Sequence, residues 1–233
     1  MRPILSTIGF DADDTLWHNA RFFALTQDVF VQMLSQYTDR DTLMARLLAA
    51  ERRNLPHYGF GIKGFTLSMI ETAIEVTDGR VPAFVISELL VTGRDMLSHE
   101  IELLPHVADT LEALRHRHKI LVITKGDLMD QERKLAQSGL RDMFDGIEIV
   151  SAKTTAGYRR IFAQHGTGVD QAMMVGNSLA SDVVPMLDAG GWAVHVPHGT
   201  PWAVEAADIP EDHPRYRDIP DLGALPALIR SLR

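Results

Sequence analysis

Apolar and polar positions change rhythm twice along this chain. Ile4, Leu5, Ile8, Gly9 and Phe10 form a short apolar run, preceded by Pro3 and cut off by Asp11, which is the pattern of a buried strand. From Ala20 onward the apolar residues recur at three and four positions instead. Ala20 to Gln36, Asp39 to Asn54, Phe65 to Asp78 and Pro82 to His99 predict four amphipathic helices, with no strand among them. Asp39 and Asp41 suit the first turn of the second helix, and Val81-Pro82 places a proline near the start of the fourth. Between the second and third, Leu55 to Phe65 reads as a glycine-aromatic loop bearing one lysine.

The second change comes at Leu103, after which strands and helices alternate. Val107 to His118 predicts a helix, Lys119 to Thr124 a β-branched strand, Leu128 to Ser138 a helix closed by Gly139, and Ile147 to Val150 a strand. Thr155 to Gln164 is again helical, Ala172 to Val175 a strand, Ala180 to Ala189 a helix ending at Gly190-Gly191, and Ala193 to Val196 a strand. Residues 197–214, rich in proline and charge, predict an irregular excursion. Tyr216 to Ile219 predicts an edge strand, and Asp221 caps a last helix to Leu232. Strands separated by helices imply a parallel sheet. The first strand must join it, because four helices offer it no pairing partner. The expected fold is therefore α/β: a Rossmann-like doubly wound parallel sheet (1–16 and 100–233) with a smaller all-α four-helix domain (17–99) inserted after the first strand.

Composition narrows the function. With 233 residues, 45% hydrophobic and 23% charged, the chain can bury a sizeable core. It has no cysteine, so disulfides, thiol nucleophiles and cysteine metal sites are excluded, and the cytoplasm is the expected location. Arg2 and the apolar residues behind it stop at Asp11 without a small-residue cleavage site, and are kept as structure. No apolar segment approaches the roughly 20 residues that span a bilayer. A net charge of -8 without a compensating basic stripe argues against a nucleic-acid partner. His116 and His118 have no third ligand at metal spacing and are read as a solvated helix end.

Acids do not belong inside a buried strand, so Asp11, Asp13 and Asp14 must lie past its carboxyl end. Three more strand ends also finish in distinctive polar groups: Thr124-Lys125-Gly126, Lys153 just past Val150, and Gly176-Asn177-Ser178 with Asp182. In a parallel sheet these ends face one side, so the groups converge. Carboxylates, an isolated lysine, a threonine hydroxyl and a glycine turn with free backbone N–H groups suit a magnesium-dependent phosphate site.

The order and spacing of these groups resemble the haloacid dehalogenase superfamily, most of whose members are phosphatases: DxDxT at Asp11 to Thr15, then Thr124, then Lys153, then an acidic motif around Gly176 to Asp182. The helical insertion resembles the all-helical cap of one subfamily. The resemblance implies that Asp11 is the nucleophile and forms an aspartyl phosphate, and that Asp13 is the acid and base, with a pKa nearer neutrality than that of Asp11. It further implies that Thr124, Lys125, Gly126 and Lys153 hold the phosphoryl group. Mg2+ would be held by the Asp11 carboxylate, the Asp13 carbonyl, Asn177 and Asp182. Asn177 departs from the family pattern, which usually has an acid there. One fewer negative charge should weaken magnesium binding relative to an Asn177→Asp variant.

Asp14 reads as a polar turn or N-cap residue, and Asp127 as an N-cap. Tyr58, Phe60 and Lys63 are candidates to close over a leaving group, with packing of the helical unit the alternative reading for the two aromatics; Tyr58 and Lys63 are kept as candidate substrate residues. Trp202 and Glu205 are candidates to stabilise the late excursion and receive no functional role. A true dehalogenase also uses an aspartate nucleophile, but expelling halide needs no proton, and dehalogenases of the superfamily generally lack the second acid. A phosphomutase of the same superfamily would isomerise a sugar phosphate instead of releasing phosphate. A receiver-like signalling module also clusters acids, a threonine and a lysine on a doubly wound sheet, but has no helical insertion after its first strand. The expected substrate is a small phosphomonoester, and the sequence leaves the oligomeric state open.

Overall fold

The computed structural model describes residues 5–200 and 202–232; Ile4 of the predicted first strand, and Pro3 before it, lie outside them. Among the described residues, six parallel strands form one sheet: β1 (Thr7–Phe10), β2 (Lys119–Lys125), β3 (Gly146–Val150), β4 (Ala172–Gly176), β5 (Trp192–His195) and β6 (Tyr216–Asp218). Their order is β3-β2-β1-β4-β5-β6. The chain thus winds outward from β1 in one direction through β2 and β3, then returns to the other side of β1 for β4. The order reverses between β1 and β4, and their carboxyl ends open the crevice where such sheets place ligands.

Register explains the two-sided burial. Ile8 pairs level with Ile120 and Met173, and Phe10 with Val122 and Val175, so these side chains share one face. They pack with Val107, Leu111 and Leu114 of α5 (Val107–Arg115), Leu135 of α6 (Leu128–Gln137) and Leu225 of α9 (Leu225–Ser231). Leu121, Ile123 and Met174 point to the opposite face, against Tyr158 and Phe162 of α7 (Thr155–His165) and Met186 and Leu187 of α8 (Val184–Ala189). Gly9 belongs to this second face. A Cβ there would come within 2.7 Å of Ile123 Cδ1 and 3.0 Å of Phe162 Cζ, so the absence of a side chain lets α7 lie close on the central strand.

The chain divides into two compact units, one running to His18 and resuming at Ile101, the other Asn19–Glu100. Trp17 and His18 belong to the first, whereas the sequence pattern assigned them to the helical segment. Trp17 bridges Leu103, and the His18 N–H donates to Glu102 O at 3.1 Å, so local pairing holds both.

The second unit contains α1 (Ala20–Leu34), α2 (Arg40–Tyr58), α3 (Ile62–Val76) and α4 (Ala83–Met96) around Phe30, Leu34, Leu43, Leu47, Phe65, Met69, Val85 and Leu89. Asp39 caps α2 by accepting from Thr42 N at 3.0 Å. The expected loop from Leu55 to Phe65 shrinks to Gly59-Phe60-Gly61. Pro56 lies inside the last turn of α2; its fixed φ is helix-compatible, at the cost of a missing N–H and of crowding against the carbonyl four residues back. The turn itself is made by φ of +72° at Gly59 and +128° at Gly61, which glycine adopts freely.

The predicted helix at Ala180 to Ala189 is two pieces, a π-helical turn (Leu179–Val183) leading into α8. Asp221 caps a 3-10 turn (Leu222–Ala224) that precedes α9, and residues 197–200 and 202–214 are irregular apart from turns and bends.

Candidate active site

Asp11 is the first residue past β1. Its N–H donates to Val175 O at 2.9 Å, extending the ladder and fixing the carboxylate at the switch point. The chain then turns tightly. Leu16 N–H returns to Ala12 O at 2.8 Å and Asp14 N–H to Trp17 O at 2.8 Å, with Asp14 at φ +60°. Asp14 is therefore a turn residue in the left-handed region that aspartate tolerates, and not an N-cap. Thr15 Oγ1 lies 3.1 Å from Asp11 Oδ2 and 3.4 Å from Asn177 Oδ1, and accepts from Asn177 N–H at 3.1 Å. One hydroxyl thus ties the first motif to the last.

Lys153 follows β3, and Thr154 caps α7 behind it by accepting from Gly157 N at 3.0 Å. Its ammonium is buried, contacts Asp11 Oδ1 and lies 2.6 Å from Asp182 Oδ1. Burial opposes its charge, but the two carboxylates hold it above its ordinary range. Burial likewise pushes the Asp11 carboxyl up to about 7; Lys153 opposes this and the Asp182 charge adds to it. Asp182 is fixed from its other oxygen, Oδ2, by Ser178 N–H at 3.0 Å. That oxygen occupies the space of a side chain at Gly176, where a Cβ would stand 2.2 Å away.

Thr124 is buried at the end of β2, and Gly126 at φ +142° lets the following turn form. Lys125 has a different environment from the one its sequence position suggests. Its ammonium contacts Glu205 and lies 2.6 Å from Ser181 Oγ. Burial holds it below its ordinary range despite Glu205. Glu205 Oε2 also accepts from Ser178 Oγ and from Ser181 Oγ at 2.7 Å. The Glu205 carboxyl is buried, which would raise its pKa, but Lys125 and the two serines hold it low.

Asp13 reverses an expectation. Its Oδ1 accepts from Trp17 Nε1 at 2.7 Å and Lys134 Nζ at 3.1 Å, and its Oδ2 from Gln131 Nε2 at 2.8 Å and Lys134 Nζ at 3.2 Å. Burial alone would raise its pKa; Lys134, Gln131 and Trp17 outweigh that and hold it below the ordinary value. Of the two carboxyls it is Asp11, not Asp13, that lies nearer neutrality, because Asp11 is more deeply buried beside a second acid while Asp13 is ringed by donors.

The core unit therefore gathers Asp11, Asp13, Thr124, Lys125, Gly126, Lys153, Asn177 and Asp182 at its strand ends. Tyr58, the exposed last residue of α2, and Lys63, the second residue of α3, belong to the helical unit. Asp127 caps α6 by accepting from Asp130 N at 3.3 Å. Trp17, Gln131, Lys134, Tyr158 and Glu205 escaped the sequence pattern. Only α6 carried a legible signal: Gln131 and Lys134 are one turn apart on the side of the helix away from Met129, which marks a buried polar face once the helix direction is known.

The oxygens of Asp11, Asn177 and Asp182 surround shared donors, Thr15 Oγ1 and Lys153 Nζ, so the set is entirely of hard oxygen donors and fits a magnesium ion. Among the described residues, no three His, Cys, Asp or Glu side chains are grouped to hold a metal by themselves. No helix is long and apolar enough to cross a membrane among those residues.

Comparison with known proteins places the fold. A haloacid dehalogenase-like hydrolase from Xanthomonas campestris is 40% identical, with 98% of this chain and 92% of that one covered and a TM-score of 0.88. A HAD-hydrolase from Bacillus subtilis bound to magnesium is 17% identical over 97% of this chain and 98% of its own, with a TM-score of 0.67. L-2-haloacid dehalogenase from Xanthobacter autotrophicus, with chloropropionic acid covalently bound, is 17% identical over 98% of this chain and 100% of its own, with a TM-score of 0.69. No curated protein matches. The model of the haloacid dehalogenase-like hydrolases matches residues 5–190, a span that begins before the Asp11 turn and ends beyond Asp182 and α8, and the chain belongs to that family.

Proposed function

We propose that this hydrolase is a magnesium-dependent phosphatase of small phosphomonoesters, with Asp11 as nucleophile. The observation that carries this reading is Asp13, a second carboxylate two residues beyond Asp11, partly open to solvent and fastened by three donors. An alkoxide leaving group needs a proton, and a water attacking an acyl phosphate must lose one; halide expulsion needs no leaving-group proton.

Its donors keep Asp13 ionised in the free enzyme, so it must take up a proton as the anionic ester binds beside it. In the first step an Asp11 carboxylate oxygen bonds to phosphorus as the ester P–O bond breaks, and Asp13 gives that proton to the departing oxygen. In the second, Asp13 takes a proton from water, whose oxygen bonds to phosphorus and releases the Asp11 carboxylate. Lys153 neutralises charge on the nucleophile and the phosphoryl group. Thr124 and the turn through Lys125 and Gly126 hold phosphoryl oxygens. Magnesium would be held by Asp11, the Asp13 carbonyl, Asn177 and Asp182, and when bound supplies charge neutralisation for the phosphoryl oxygens. The Bacillus subtilis neighbour, bound to magnesium, supports this assignment.

A metal-independent dehalogenase is the second reading, favoured by Asn177 in place of an acid and by the Xanthobacter autotrophicus neighbour. A panel of phosphorylated metabolites and 2-haloacids, assayed for phosphate and chloride release with and without magnesium, separates the two. Phosphate release that requires magnesium and is abolished by Asp11→Asn is expected. Chloride release without phosphate release overturns the proposal.

A further inference from the structure

On the reading of Asp13 as acid and base, we infer that Lys134 and Gln131 of α6 are positioning residues that fix the Asp13 carboxylate against the reacting phosphate ester. Lys134 is 5% exposed and Gln131 4%, although both are polar residues on a helix that leaves Leu128 56% and Met129 74% exposed. A buried ammonium is unfavourable unless paired. Its partners are Asp13, through both oxygens, and Asp130 Oδ2 at 3.3 Å, while Asp130 Oδ1 is held by Arg133 at 2.8 Å. Trp17 and Gln131 each hold one of the Asp13 oxygens. Donors thus reach both oxygens from two elements, so the carboxylate cannot turn about its terminal bond without breaking a contact.

The two residues stand one turn apart on α6, which starts immediately after Thr124-Lys125-Gly126 and its cap Asp127. One rigid helix therefore links the turn that holds phosphoryl oxygens to the group that serves the leaving oxygen. Geometry of this kind matters to proton transfer because small displacements from the attack geometry are costly.

The test compares kcat/KM on p-nitrophenyl phosphate, whose leaving group departs without a proton, and on an alkyl phosphate such as glycerol phosphate. Lys134→Met is expected to lower the alkyl ester's value by roughly 10²-fold and the aryl ester's by less than about tenfold, since only the former depends on Asp13 as acid. In an Asp13→Asn background Lys134→Met should have no further effect. Equal losses on both esters, or a full additional loss in the Asp13→Asn background, overturn the inference. If Lys134→Met does not fold, Gln131→Met is read in the same way. Wild-type enzyme that hydrolyses neither these esters nor any of the panel removes the phosphatase reading itself; wild-type turnover with an indifferent Lys134→Met removes only the positioning role.

Discussion

Tyr158 on α7 donates its hydroxyl hydrogen to the carbonyl of Ser181 across 2.9 Å, and Ser181 is the residue four before Pro185. Proline has no N–H to return to that carbonyl in an α-helical bond, and the buried phenol donates to it where the helix opens into a π-helical turn. Asp182, next in sequence, is carried on this turn. An apolar face on α7 thus stabilises a backbone irregularity that aims a carboxylate at Lys153.

Tyr158→Phe keeps the ring and removes the donor. The stranded carbonyl should lower stability by about 1–3 kcal/mol, read as a lower midpoint in urea at unchanged slope. A change below about 0.5 kcal/mol would mean that the carbonyl has another partner.

Two glycine-to-alanine changes should separate packing from chemistry. At Gly9 the new methyl group meets Ile123, Phe162 and Met174, all core side chains, so Gly9→Ala is expected to cost about 1–3 kcal/mol of stability while the folded enzyme keeps its kcat. At Gly176 it meets Asp182 Oδ2 at 2.2 Å, and the carboxylate must leave its contacts with Ser178 and Lys153. Gly176→Ala should therefore lose activity by roughly 10²-fold in protein that remains folded by circular dichroism. Equal activity in the two variants would contradict the assigned place of Asp182.

Much of this was legible in the sequence because parallel βα alternation has few solutions. Once Ile8, Phe10, Val122 and Val175 are read as buried strands, their carboxyl ends must share one edge, and Asp11, Thr124, Lys153 and Asp182 follow. What stayed hidden depends on tertiary contacts. Lys134 carried no signal, because nothing local shows that α6 turns Met129 outward and Lys134 toward Asp13. Glu205 lies in a segment without periodicity, so no pattern could aim it at Lys125. The Asp11 and Asp13 pKa values were inverted for the same reason: residues more than a hundred positions away, Lys134 and Gln131, set the second one. In the helical unit, Pro56 misled because proline more often ends a helix than lies within one.

Asn177 Oδ1 lies 3.4 Å from the hydroxyl that also serves Asp11 Oδ2. Asn177→Asp adds a full charge to an oxygen cluster of this kind, and should tighten magnesium binding by about tenfold or more, measured by isothermal titration. Equal or weaker binding by the variant would show that residue 177 is not in the cation's reach.

Glu205 reaches out of residues 197–214 to Lys125, Ser178 and Ser181, and with side chains 15% and 16% exposed the Glu205–Lys125 pair is largely desolvated. Glu205→Gln removes this carboxylate from the Lys125 ammonium, which is costly in a low-dielectric setting. The excursion has little other regular structure to hold it, so the loss should appear as local opening: protease cleavage within residues 203–214 about tenfold faster than in the wild type, with the global unfolding midpoint changed less. The same contact has a pH signature. The Glu205 carboxyl is held below its ordinary 4.5, so its contribution is fully present above that value and fades as the pH falls through the lower native value. Wild-type cleavage should therefore rise toward that of Glu205→Gln only in acid below about pH 4.5, and a variant as resistant as the wild type at neutral pH would show that the segment is fastened elsewhere.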